Sequence, residues 1–212
     1  MSSNEALHTN CQEPRMGSTQ QTGQRLPFPQ SPQSKLEMAN DIKERGNSYF
    51  REGEYMKATR EYKTVFCFTR GLSGAERMRV ELLSLKSSGF EDDSGLEEEC
   101  MELEGATHCN LAQVYLKVGE GLKVLHHCAE ALRINKTLWK AHYREGMAFM
   151  DCADCRNLSR AIISFDNALE CAPEDSKVAI SSSQEKCRLM MRKANAKTDK
   201  QMKQGMVRAF IE

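Results

Sequence analysis

A small residue followed three places later by an aromatic recurs in this chain as Gly46/Tyr49, Ala112/Tyr115 and Gly146/Phe149, and the step from Ala112 to Gly146 sets a single repeat period. Residues three apart share one face of a helix. Twelve places after Gly46 comes Ala58, then Tyr62; twelve after Ala112 comes Val124, then Cys128. In the third unit Ala161, Phe165, Ala168 and Pro173 keep the mutual spacing, but Ala161 follows Gly146 by fifteen places, which puts a three-residue insertion in the turn around Cys152–Asn157. The small residue lets a first helix approach its partner closely, and the aromatic fills the space beside it. Glu52-Gly53-Glu54 and Gly119-Glu120-Gly121 stop the first helix of each pair. One pair cannot cover its own apolar face, so pairs must stack. No period-2 alternation competes with this pattern, so the expected class is all-α. The alternative with the same periodicity is an unrelated helical bundle.

The repeats divide the chain. Residues 1–34 are rich in Ser, Gln, Thr, Gly and Pro and hold four of the five prolines, Pro14, Pro27, Pro29 and Pro32. Such a segment buries too little apolar surface to offset its ordering entropy, and it is expected to be a disordered tail. A three-repeat domain spans 35–180: repeat 1 about 36–69, repeat 2 about 105–138 and repeat 3 about 139–175. Gly46 and Ala112 are separated by nearly two periods instead of one, so positions from about 70 to 104 form an insertion. Part of it extends the flanking helices, and Ser87–Gly95 reads as a loop. Residues 176–212 form a basic helical extension, read as Asp175–Arg192 followed by Lys197–Phe210. It caps the last apolar face with a stripe drawn from Val178, Leu189, Met202, Met206 and Phe210.

Lys plus Arg equals Asp plus Glu at 30 each, so overall charge gives no reason to expect nucleic acid or a membrane as partner. Residues 1–25 lack the apolar core of a signal peptide, and no run of about 18 apolar residues exists. Nine cysteines without a regular framework suit reduced thiols, hence a cytoplasmic protein.

The first helices of stacked pairs line a concave groove. Repeat 1 places Lys43 and Asn47 there, repeat 2 Asn110, and repeat 3 Lys140 and Arg144; Asn110 and Arg144 are separated by the same step as Ala112 and Gly146. Asparagine amides bind peptide backbone, and Lys and Arg hold carboxylates through charge-assisted bonds. The fitting ligand is an extended acidic peptide, with a free C-terminal carboxylate especially suited. The plain alternative is that these are solvated surface side chains.

The period of about 34 and these motifs resemble the tetratricopeptide repeat (TPR) domains of chaperone-binding co-chaperones. The resemblance covers residues 36–180 and rests on Lys43-x-x-Gly46-Asn47-x-x-Phe50, on Asn110-Leu111-Ala112 with Tyr115-Leu116-Lys117, and on Lys140-Ala141-x-Tyr143-Arg144-x-Gly146. Three repeats with a long insertion after the first are similar to the tetratricopeptide repeat protein 9 family and to the TPR half of the large FK506-binding immunophilins, whose isomerase domain has no room in the polar tail before the repeats. The resemblance implies a TPR solenoid, a carboxylate clamp formed by Lys43, Asn47, Asn110, Lys140 and Arg144, and binding of the Met-Glu-Glu-Val-Asp tail of the ninety-kilodalton heat-shock chaperone or the related tail of the seventy-kilodalton one. Val124 in place of the usual Ala and Lys136 where Pro is common depart from the pattern and bear on helix packing more than on the clamp.

Other constellations carry less. Cys152-Ala-Asp-Cys155 lacks the strand–helix context of a redox motif and the second ligand pair of a zinc site, and adjacent His126, His127 and Cys128 point in different directions on a helix. His108-Cys109 has no orienting acid, so nucleophilic catalysis has no support. No cofactor, metal or enzymatic activity is expected. The basic, Met-containing C-terminus permits a calmodulin-target reading, against that of a solubilised capping helix. The main functional alternative is a TPR scaffold that binds an internal segment of another partner.

Overall fold

The computed structural model describes residues 31–70, 72, 94–152 and 154–209. Seven helices account for nearly all of them: α1 (Pro32–Arg51), α2 (Tyr55–Thr69), α3 (Ser94–Val118), α4 (Gly121–Ile134), α5 (Trp139–Asp151), α6 (Cys155–Cys171) and α7 (Glu174–Ala209). The described residues include no strand. The helices pack as α1/α2, α3/α4 and α5/α6, with α7 against α6; α1, α3 and α5 also touch in succession and form one face. This is the expected three-repeat TPR solenoid with a terminal helix.

The turns follow from their glycines. Gly53 and Gly119 adopt φ of 80° and 81°, a conformation open to glycine without strain. Glu54 N–H donates to the Tyr49 carbonyl and Gly53 N–H to Phe50, closing α1 by a Schellman motif; Glu120 and Gly119 repeat the pattern onto Tyr115 and Leu116. The small–aromatic logic is visible in the packing. A Cβ on Gly46 would stand 2.7 Å from the Tyr62 ring, and one on Gly146 would stand 2.8 Å from Phe165. In repeat 2 the corresponding residues are Ala112 and Cys128, both buried in one core with Val124. An alanine is accommodated where the partner helix offers a thiol instead of a ring.

Five expectations change. The tail assigned to residues 1–34 loses its last residues to α1: Pro32 occupies the first turn, and Ser31 with Ser34 forms a capping box. The three extra residues of repeat 3 do not lengthen the turn. Helix α6 starts at Cys155, six places before Ala161, whereas α2 and α4 start three places before Ala58 and Val124. The insertion is absorbed as nearly one more helical turn, capped by Asp154, whose carboxylate accepts from Asn157 N–H at 2.7 Å. The C-terminal extension is one helix, because Lys193-Ala-Asn-Ala196 contains no residue that breaks it. Its packing stripe is also different. Val178 and Leu189 are 78% and 47% exposed, and Met202 and Met206 are exposed as well, while Ile180, Gln184 and Cys187 are buried. Gln184 fits that face because its amide donates to Asp166 and toward the Ile162 carbonyl. Of the expected insertion, residues 94–104 extend α3, which also takes in the end of the expected Ser87–Gly95 loop. Residues 1–30, 71, 73–93, 153 and 210–212 lie outside the described residues, and with them most of the expected tail, the rest of the insertion and Phe210 of the expected stripe.

Candidate functional site

Asn47 on α1, Asn110 on α3 and Arg144 on α5 come from three successive repeats and line one recess of about 290 Å³, together with Phe50, Arg51, Tyr62 and Gln113. The amide oxygen of Asn47 accepts from the Tyr62 hydroxyl at 2.7 Å and from Asn110 Nδ2 at 3.0 Å. Burial, reinforced by Glu44, raises the Tyr62 hydroxyl to about 12, so it remains a donor at neutral pH. Asn47 Nδ2 donates to Glu44 at 3.1 Å. Each asparagine amide therefore keeps an N–H beyond these bonds.

Arg144 is held in place by its neighbours. Its Nε donates to Gln113 at 2.8 Å and a terminal nitrogen donates to the Cys109 carbonyl at 2.9 Å. Burial lowers its pKa from the ordinary value, yet a guanidinium stays charged at neutral pH. A guanidinium carries more N–H groups than these bonds engage, so donors remain for an incoming anion. Lys140, one turn earlier on α5, is exposed, with its ammonium 5.6 Å from the centre of the Trp139 ring. It lines an adjoining recess of about 340 Å³ that shares Gln113 and Arg144 with the first. The arrangement can take a carboxylate among Asn47, Asn110 and Arg144 and a second acidic group beside Lys140.

Of the five residues expected from sequence, the structure gathers Asn47, Asn110 and Arg144 closely and sets Lys140 alongside. Lys43 lines neither recess; it donates to Asn40 at 3.2 Å and lies 3.6 Å from Glu44. Gln113 and Arg51 were not anticipated. Their signal is helical spacing, three places after Asn110 and four after Asn47. A histidine pair was also missed: His108 and His127 bring their Nδ1 atoms within 3.0 Å, between Phe66 and Tyr115. Burial pushes both imidazoles down to about 4. Elsewhere, Cys152 is an exposed free thiol, and burial pushes the Cys128 thiol up to about 12. Among the described residues no group of three or more His, Cys, Asp or Glu is placed to hold a metal, and no helix is long and apolar enough to cross a membrane.

No protein-family model matches the chain. The peptidyl-prolyl cis-trans isomerase FKBP4 of Bos taurus is 30% identical over 145 residues, which cover 68% of this chain and 27% of that protein. The chain thus spans about a quarter of the length of the curated relatives it matches. Among solved structures, the C-terminal TPR-containing domain of a Plasmodium falciparum FK506-binding protein aligns with a TM-score of 0.60 at 25% identity, over 79% of this chain and 97% of that one. The first TPR of Spaghetti (RPAP3), bound to the HSP90 peptide SRMEEVD, shares the fold with a TM-score of 0.52 at 18% identity, over 74% of this chain and 95% of that one. The likeness runs to FK506-binding proteins, and the resemblance to tetratricopeptide repeat protein 9 has no counterpart among these three. The chain is a TPR solenoid, similar in sequence to a segment of an FK506-binding isomerase and in fold to a TPR domain solved with an HSP90 peptide.

Proposed function

We propose that the α1/α3/α5 groove binds the acidic C-terminal peptide of a heat-shock chaperone, and that the chain is a binding module of co-chaperone type rather than an enzyme. The observation that supports this most is the convergence of Asn47, Asn110 and Arg144, one from each repeat, on a single recess. The amide N–H groups and guanidinium take the terminal carboxylate, and Lys140 takes an acidic side chain. Lys43 joins when its ammonium leaves Asn40 and Glu44, a local side-chain rotation on the rim. The peptide SRMEEVD on the similar RPAP3 domain supplies the ligand class. The isomerase activity in the name of the FKBP4 relatives is not assigned to this chain, which matches about a quarter of their length.

Calorimetric titration with SRMEEVD tests the reading. Binding is expected in the micromolar range typical of such modest interfaces, is lost when the peptide's C-terminus is amidated, and weakens with salt. Undiminished binding of the amidated peptide favours the scaffold reading, in which an internal segment occupies the groove. Titration with the seventy-kilodalton chaperone's tail ranks the two tails. Calmodulin binding at the C-terminal helix is a separate, subordinate reading, checked by calcium-dependent mobility shift.

A further inference from the structure

Two arginines of the solenoid end on carboxylates: Arg45 donates to Glu61 at 3.0 Å and Arg133 to Glu130 at 3.1 Å. Arg144 does not follow them. Among the described residues its hydrogen bonds end on neutral groups, chiefly the Gln113 amide oxygen at 2.8 Å and the Cys109 carbonyl at 2.9 Å. Burial lowers its pKa from the ordinary value, and the groups opposing that shift are the Cys109 and Cys128 thiols and the Tyr62 hydroxyl, none of them an anion at neutral pH. The recess it lines holds a second arginine, Arg51, and no acidic residue. Arg51 is also held by a neutral oxygen, the Ser48 hydroxyl at 3.1 Å.

Gln113 is the residue on which this arrangement turns. It is half-buried on α3 and lines both recesses, so it stands where the carboxylate recess meets the one beside Lys140. Arginine offers donors and no acceptor, so the Gln113 atom that faces its Nε is the oxygen. With Nε engaged, the N–H groups still open to an anion lie on the terminal nitrogens. A carboxylate in the place of the Gln113 amide would hold the guanidinium about twice as strongly, but it would also cancel its charge.

We propose that Gln113 is the specificity-determining positioning residue of the groove: it fixes the guanidinium of Arg144, leaves its charge uncancelled, and so reserves the recess for a carboxylate of the ligand. This rests on the peptide reading above and deepens it. The half-buried Arg144 cation is kept in place by neutral partners until an anion arrives from outside. Glutamate has nearly the shape of glutamine, so the selection at position 113 is one of charge and not of size.

Calorimetric titration of the full chain with SRMEEVD, alongside urea unfolding, compares wild type with Gln113→Met and Gln113→Glu. Methionine keeps the length of the side chain and gives up the oxygen, so Arg144 loses its anchor and affinity is expected to fall about tenfold. Glutamate keeps the oxygen and adds a charge, so affinity is expected to fall about a hundredfold or more while the urea midpoint is unchanged or raised. Affinity and stability then part company, which a packing role would not produce, because to packing the isosteric glutamate is the milder change. Wild-type affinity in Gln113→Glu, or a loss of affinity only in step with a loss of stability, overturns the proposal and leaves the peptide reading standing. A wild-type chain that does not bind SRMEEVD overturns both.

Discussion

Replacing Gly146 by alanine sets two physical effects against each other. In a helix interior alanine is favoured over glycine by about 1 kcal/mol. Against that, the new Cβ would stand 2.8, 2.9 and 3.0 Å from Cε1, Cδ1 and Cζ of Phe165. The ring is fully buried and cannot swing into solvent, so helices α5 and α6 must part by several tenths of an ångström. Overpacking of this kind costs about 1–3 kcal/mol, so the net expectation is a loss of about 1 kcal/mol. Gly105→Ala is the matched control. Its Cβ would meet Leu138 and Ile134 side chains at 3.4–3.9 Å, ordinary contact, so the helix preference should prevail and stabilise by about 0.5–1 kcal/mol. Urea unfolding with unchanged slope measures both. A third variant, Gly146→Ala in a Phe165→Cys background, copies the Ala112/Cys128 pair of repeat 2 and should show the alanine penalty vanish as a coupling of about 1–2 kcal/mol. If Gly146→Ala proves as stabilising as Gly105→Ala, the close approach of the repeat-3 helices is not what selects glycine there.

Three further outcomes are expected. Lys140→Ala should abolish detectable SRMEEVD binding without altering urea stability because Lys140 is exposed, whereas Arg144→Ala should abolish binding and also lower stability by about 1–3 kcal/mol, having removed the charge-assisted bonds to Gln113 and the Cys109 carbonyl. The His108–His127 pair makes stability pH-dependent: both imidazoles are neutral in folded and unfolded chains above about 6.5, the unfolded chain binds protons first as pH falls, and stability should drop between about 6.5 and 4. Partial solvent access limits that drop to the order of 1–3 kcal/mol, and a His108→Phe variant with an unchanged pH profile of melting temperature would exclude the pair as its source. A chain started at Leu36 instead of Ser31 loses the capping box and should be less stable by about 1 kcal/mol in thermal melts.

The repeats were legible because Gly46, Ala112 and Gly146 mark close helix contacts, and close contacts leave few residue choices. The groove positions followed from the repeat register alone: once Ala112 and Gly146 are aligned, Asn110 and Arg144 fall on the same face. What the register could not give was reach. Lys43 sits at the expected helical position, but its ammonium turns to Asn40 and Glu44, and Arg144 is held by Gln113, a residue without a distinctive pattern. The phase of α7 is hard to read from sequence because Val178 and Leu189 are apolar yet exposed, whereas the buried side includes Gln184, whose amide is satisfied by Asp166 on the neighbouring helix. Hydrophobicity ranks residues singly, and a buried amide is intelligible only with its partner. Spacing counts residues without telling whether they coil, so in the sequence the extra residues of repeat 3 read as a longer turn.

The amide oxygen of Asn47 joins Tyr62 of its own repeat to Asn110 of the next. The angle between repeats 1 and 2 is therefore written into the same atom that borders the recess shared by Asn47, Asn110 and Arg144. Any ligand gripping Asn47 and Asn110 together grips the curvature of the solenoid, and it stiffens the array as a clasp stiffens a hinge. Tail peptide at about 100 times its dissociation constant would add about 2.7 kcal/mol to the liganded fold, with amide exchange slowed first across α1 and α3. Conversely, substitutions at Cys128, packed in one core with Tyr62, are expected to change the grip by changing the bend.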